Sequence, residues 1–401
     1  PQLLFNATVV YGSRSSPGEG APAVTFTDGP FTLSQVSPLI AQIPPFAKSA
    51  TLLLSNVAPL RTGAWVLTLA AARVTATTAA EHGVDSAATL TITSAANART
   101  LGERVGAGGA LTLSGERVVQ DGVVDVASGK INIIGKGNTT QRRDTVTLTE
   151  RSVTKAAGWT QQVGKTWSVD APGGDVTVQA VQGDLIWRGQ IDVSAPVASS
   201  KPDQGQAAGT VTLLANGLNP ADGYRGQLVV GAHASLKGSA GSDRLSASLT
   251  VDAQRLSNEP VPGLSDAAQA AAITHGTLDR LADITKAGGV RREVDWRIRE
   301  GAQSLNTELM AQRVFISADA GSLSLGQSQT LQANGEMATH KGSIDARAPQ
   351  GGVVQLASGQ DLIIGADVLA DSSRTGANGG DILLASSDGQ VRIQDGVTLS
   401  A

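Results

Sequence analysis

Residues 173–195 read GGDVTVQAVQGDLIWRGQIDVSA, with glycines at 173, 174, 183 and 189 and aspartates at 175, 184 and 192. Between the glycines the chain alternates. Val176, Val178 and Ala180 share one parity, and Asp175, Thr177 and Gln179 share the other. Alternation over four to six residues is the mark of a half-buried strand, and Gly beside Asp or Gln marks a turn. The stretch therefore reads as three short strands joined by two sharp corners.

The same pattern recurs. It appears as GGALTLSGERVVQDGVVDVASG from Gly108, GGVVQLASGQDLIIGADVLADSS from Gly351 and GGDILLASSDGQVRIQDGVTLSA from Gly379. Partial copies occupy 208–217 and 320–335. The third strand often carries an Asp between apolar residues, as at Asp125, Asp192, Asp345 and Asp367. A unit of some 20–28 residues cannot bury its own apolar face, so copies must stack. Three short strands per unit, stacked parallel, make a right-handed parallel β-helix. The competing antiparallel sandwich requires longer strands joined by two-residue turns. The expected fold class is thus all-β: a solenoid with three strands per coil, glycines at its corners, and aspartates beside corners bonding free backbone amides.

Composition agrees. Aromatic residues are 3% of the 401, with 47 Gly and no Cys. Thin layers of small aliphatic side chains do not need large rings to fill them. The net charge of -4 and the absence of a basic domain argue against a nucleic-acid partner. No apolar run approaches the ~20 residues of a membrane-spanning helix. A start at Pro1, without Met or a signal-type apolar segment, reads as a processed product or a fragment.

Four segments follow from the pattern: a Pro-rich N-terminal stretch or first coils at 1–60, β-helix at 61–254, a helical and charged excursion at 255–310, and β-helix again at 311–401. The loop at 194–208 projects from a coil. In the excursion Ser265 is placed to cap a helix over 266–273, and Thr277 to cap another running to Lys286. Leu278, Leu281 and Ile284 fall on one face of the second, and Gly288 stops it. The excursion is expected to pack against the flank of the solenoid.

Catalytic and metal motifs are sparse. His82, His233, His275 and His340 are isolated, which leaves no zinc-ligand spacing. VGAGGALTL (105–113) lacks the acidic residues of a calcium repeat and the Lys-Ser/Thr of a phosphate loop. No Asp-Asp pair, G-x-S-x-G or Arg-Gly-Asp occurs. The reading assigns no cofactor and no catalytic residue. The densest ionisable segment is VRREVDWRIRE (290–300); charges alternating along a strand read first as a solvated face laced with ion pairs. As a recognition surface, its binding candidates are Trp296 and Arg297. Trp65, Trp187 and Tyr224 are further rings that could stack on sugars.

The repeats quoted from Gly173, Gly351 and Gly379 resemble those of filamentous haemagglutinin-like exoproteins of two-partner secretion, over roughly 105–250 and 310–401. The resemblance implies a β-helical filament passed unfolded through an outer-membrane transporter barrel of a Gram-negative cell. It implies a secreted or cell-surface location and use in adhesion or biofilm cohesion, with a surface glycan or protein, or another copy of the chain, as partner. The secretion domain of that family carries N-P-N-type motifs; here only GLNPADG (217–223) comes near, inside the repeats. The functional expectation is an adhesive shaft. A carbohydrate-active β-helix enzyme using 291–300, and a stalk presenting a toxin domain beyond residue 401, are the alternatives.

Overall fold

The computed structural model describes strand backbone at 2–5, 10–11, 23–26, 51–54, 60–62, 66–70, 73–76 and 81–86. From there it describes 89–94, 107–137, 144–163, 167–196, 205–218, 223–259, 278–331, 337–374 and 378–401. The expected solenoid is what these residues form. In the opening stretch the three strands are Asp175–Ala180, Asp184–Trp187 and Gln190–Asp192. Each lies on a different face, and each pairs in parallel with its counterpart one coil on: Val176 with Val211, Leu185 with Leu228, Ile191 with Leu236.

Among the described residues the long face is one twelve-stranded parallel sheet, from Val10–Tyr11 to Asp381–Ser386. The second and third faces begin as sheets of eight and seven strands and then resume as two sheets of four. From Ala110–Gly115 to Val353–Ser358, period-2 alternation sends one parity of each long-face strand indoors, where register stacks it into ladders. One ladder runs Leu111, Ile131, Val176, Val211, Leu249, Val294, Val314 and Val354, all buried. Another runs Leu113, Ile133, Val178, Leu213, Val251, Trp296, Ile316 and Leu356, also buried. The core is these ladders, which is why so few rings suffice.

The corner glycines serve mainly close approach. Gly109, Gly129, Gly174 and Gly209 stack where the third face turns into the long face. A Cβ on Gly174 would lie 1.9 Å from the carbonyl oxygen of Gly129, and one on Gly209 would lie 1.8 Å from that of Gly174. A Cβ on Gly129 would lie 2.2 Å from the Gly109 oxygen. The glycine pair at the start of each repeat is thus a vertical line of backbones in contact.

The corner aspartates do as expected. Asp192 accepts from the Ser194 amide (3.1 Å), Asp345 from Arg347 N (3.1 Å) and Asp367 from Thr398 N (2.9 Å) in the following coil. Asp125 instead pairs with Arg73 at 3.6 Å, both nearly sealed from solvent.

Within 1–60 the described strands are first coils, the second of the two expected forms: Gln2–Phe5 pairs in parallel with Thr51–Leu54, and Val10–Tyr11 with Leu60–Thr62. The Pro-rich part at 37–50 lies outside the described residues. The excursion is narrower than 255–310. Arg255–Asn258, Glu293–Ile298, Gln303–Leu305 and Glu308–Met310 are ordinary rungs. Period-2 burial holds in Glu293–Ile298, Gln303–Leu305 and Glu308–Met310, and in the first of these the charge on the outward parity obscured it.

What departs, among the described residues of the excursion, is one helix, Asp279–Ala287. Its N-cap residue is Leu278, with no side-chain cap, and Gly288 follows as C-cap. Leu278, Leu281 and Ile284 are buried on one face, as their spacing predicts. The other expected helix, over 266–273, lies outside the described residues, as do Ser265, His275 and Thr277. The second helix does not pack on the flank. It packs against both Ser235–Lys237 and Glu308–Met310, consecutive strands of the third face, and so takes the place of a rung. Two antiparallel hairpins, Trp159–Val163 with Trp167–Ala171 and Gln327–Leu331 with Met337–Lys341, leave the coils at corners.

Candidate functional site

The richest chemistry on the described surface is a charged band where the strand Glu293–Ile298 crosses the long face. Its neighbours are Ser248–Ala253 on one side and Arg313–Ala318 on the other. Alternation fixes what faces out. Glu293, Asp295 and Arg297 share the outward parity; Val294, Trp296 and Ile298 are fully buried. Arg299 and Glu300 lie just past the strand, at the corner.

Most of the acids are already held. Arg299 donates from Nε and Nη2 to the two carboxylate oxygens of Asp252, both at 2.8 Å, and Asn216 donates to the same carboxylate at 2.8 Å. Burial desolvates Asp252 and pushes its carboxyl up, but the Arg299 and Asn216 bonds outweigh it and hold the group below the usual carboxylate range. Arg297 donates to Asp319 at 2.7 Å. Glu300 takes Arg255 at 2.8 Å and also Arg225. Arg313 reaches Glu293 at 3.5 Å, and its guanidinium lies 5.5 Å over the ring of Phe315. Apart from the contact over Phe315, which stays within one strand, these contacts join one coil to another.

Asp295 is the exception. Its register partners are Thr250 and Phe315, and it makes no hydrogen bond or salt bridge among the described residues. Burial pushes its carboxyl up, and Glu293 and Asp252 push the same way, with Arg297 opposing. Asp295 is thus a half-buried carboxyl held above the usual range, beside an Asp252 held below it.

The binding candidates come apart here. Arg297 is half-exposed and paired with Asp319. Trp296 is 0% exposed, wedged between Val251 and Ile316 in the core ladder, and its indole Nε1 has no partner among the described residues. Neighbours along a strand point to opposite faces, so Trp296 and Arg297 cannot share a surface, and the tryptophan is withdrawn from the site. Trp187 is likewise fully buried, with Nε1 donating to Gly189 O at 2.9 Å. Tyr224 is tied to both oxygens of Asp184, at 2.8 and 3.0 Å. The side chain of Trp65 lies outside the described residues.

Asp252, Asp319, Arg225 and Arg255 were missed as members of the band because only register brings them to it. Once the repeats are stacked, Asp252 sits opposite Arg297, and that alignment was the available signal. Chemically, the band offers ion pairs and one free carboxyl. Glycoside hydrolysis needs two carboxylates able to act on one bond, and Asp252 is committed at both oxygens. Among the described residues no group of three or more His, Asp or Glu could hold a metal ion, and no helix is long and apolar enough to cross a membrane.

No family model, no curated protein and no solved structure matches this chain.

Proposed function

We propose that the protein is the shaft of a secreted or cell-surface adhesin of the two-partner secretion type, a rigid β-helix that sets attachment groups at a distance from a cell or binds neighbouring shafts together. The observation that carries this reading is the unbroken long face: twelve parallel strands with side-chain ladders kept through both hairpins and the helix. Such a body is long, stiff and assembled by contacts between neighbours, which suits a spacer and suits export of an unfolded chain that then adds coils in turn. The absence of Cys leaves no disulfide to obstruct that passage. The charged band supports the same reading, because its acids and bases are largely spent on joining coils.

The reading is tested on an array of immobilised bacterial and host-surface polysaccharides and proteins, with the same polysaccharides assayed for new reducing or unsaturated ends. Retention without product supports an adhesive shaft. Product whose formation is lost in Asp295→Asn overturns it in favour of a carbohydrate-active enzyme. Absence of retention on every surface, with no self-association in sedimentation, also overturns it.

A further inference from the structure

We propose that the helix Asp279–Ala287 is a joint dividing the solenoid into two cooperative units, one ending near Asn258 and one beginning near Glu293, coupled by a single sheet and a salt-sensitive clamp of ion pairs. This goes beyond the shaft reading and holds whatever the shaft carries.

Three observations meet at this place. First, two of the three faces are interrupted there. The eight-stranded sheet ends with Arg255–Asn258, and its successor starts at Gln303–Leu305. The seven-stranded sheet ends with Ser235–Lys237, and its successor starts at Glu308–Met310. Among the described residues only the long face passes through, by the six register pairs from Ser248–Glu293 to Ala253–Ile298.

Second, the helix replaces a strand without replacing its ladder. A strand bonds each neighbour along its length, whereas the helix spends its backbone groups on itself and offers only its ends. At one end Gly238 N donates to Gly288 O at 2.8 Å. At the other the carboxylate of Asp279 accepts from the amides of Asn306 and Thr307. Beyond these, Lys286 pairs with Glu308 at 2.6 Å, Arg280 donates to the Glu259 carbonyl at 3.0 Å, and Leu281, Ala282, Ile284 and Thr285 pack.

Third, the band of ion pairs straddles the same break. Arg299 to Asp252, and Arg225 and Arg255 to Glu300, each tie a residue before the helix to one after it. In a stack whose stability is a sum of nearest-neighbour interfaces, cooperativity fails first at the weakest interface. Here that interface has lost two ladders and leans on charge, which salt screens: the Debye length falls to roughly 3 Å at 1 M.

The two largest buried side chains provide the probes, since Trp187 lies in the unit before the joint and Trp296 in the unit after it. Two variants of the full chain keep one of them each, with the remaining tryptophans changed to Phe, and urea unfolding is followed by fluorescence at about 0.05 and 1 M NaCl. The joint predicts midpoints separated by about 0.5 M urea or more, with the gap widening in high salt and in Glu300→Gln. One shared curve at both salt concentrations overturns it. Hydrogen exchange of the unsubstituted protein gives an answer independent of any variant. Peptides from 174–258 and from 293–370 are expected to open with different protection, and a single shared opening overturns the proposal.

Discussion

Arg299 and Asp252 are 47 residues apart in the chain and meet as a two-pronged pair, with both N···O distances 2.8 Å, across the break where the helix replaces a strand. A fork onto both carboxylate oxygens is the strong form of such a contact, because it fixes orientation as well as distance. The pair is partly exposed, 31% for Arg299 and 20% for Asp252, which limits its worth in bulk solvent.

Removing one partner exposes that worth. Asp252→Asn leaves Arg299 without its anion and is expected to lower stability by about 1 kcal/mol, less at high salt. Urea midpoints at two salt concentrations measure both effects.

Asp295 behaves in the opposite sense. Its carboxyl is raised in the folded chain by burial and by Glu293 and Asp252, so its ionisation at neutral pH opposes folding. Asp295→Asn is expected to raise stability at pH 7 by about 0.5 kcal/mol, the scale of a like-charge contact between neighbouring strands. The pH dependence follows from the two signs. Asp252, depressed when folded, contributes fully above the ordinary carboxylate range and loses its contribution as pH falls through its folded value. Asp295, raised when folded, costs stability above its folded value and is relieved on acidification. Midpoint-against-pH curves should therefore be flatter than wild type on the acid side for Asp252→Asn. For Asp295→Asn they should be steeper. Curves that superimpose on wild type would remove both assignments.

Trp296 and Arg297 are adjacent and should differ most. Trp296→Ala opens a void among Val251, Ile316 and their neighbours and is expected to cost about 3–5 kcal/mol. Arg297→Ala removes a half-exposed ion pair and should cost less than about 1 kcal/mol. Thermal unfolding of both variants checks the contrast.

Gly174→Ala should be among the most damaging single-methyl changes in the molecule. The new Cβ would meet the Gly129 carbonyl at 1.9 Å, and backbone does not yield as a flexible side chain does. A loss of about 2–3 kcal/mol is expected, of the size seen when overpacking forces a backbone to move. The same change at Gly223, where nothing lies within 4 Å, meets no neighbour; its cost is set by a φ of +69° alone.

The solenoid was legible because it is written locally and repeatedly: alternation gives the strands, glycine pairs give the corners, and recurrence gives the stacking. The opening 173–195 stretch already contains a whole coil. The parity of Trp296 was legible too, since Val294, Trp296 and Ile298 alternate with charged residues; the concentration of arginines drew attention away from that rhythm. The partners of the band were not legible. Asp252 and Arg299, or Arg225 and Glu300, meet only after loops and a helix of irregular length have been taken out of the count. The place of the helix was hidden for a related reason. Its spacing shows that Leu281 and Ile284 are covered, but not that strands above and below, rather than a flank, cover them.

The unbroken long face also sets how the molecule measures distance. Hairpins, corner loops and the helix lengthen the polypeptide without adding a step to the stack. The described residues hold twelve long-face strands, a span of about 50 Å at the usual strand spacing. Reach is therefore counted in rungs and not in residues, so insertions at corners leave the ruler unchanged, whereas each added or deleted coil moves its tip by about 4.8 Å.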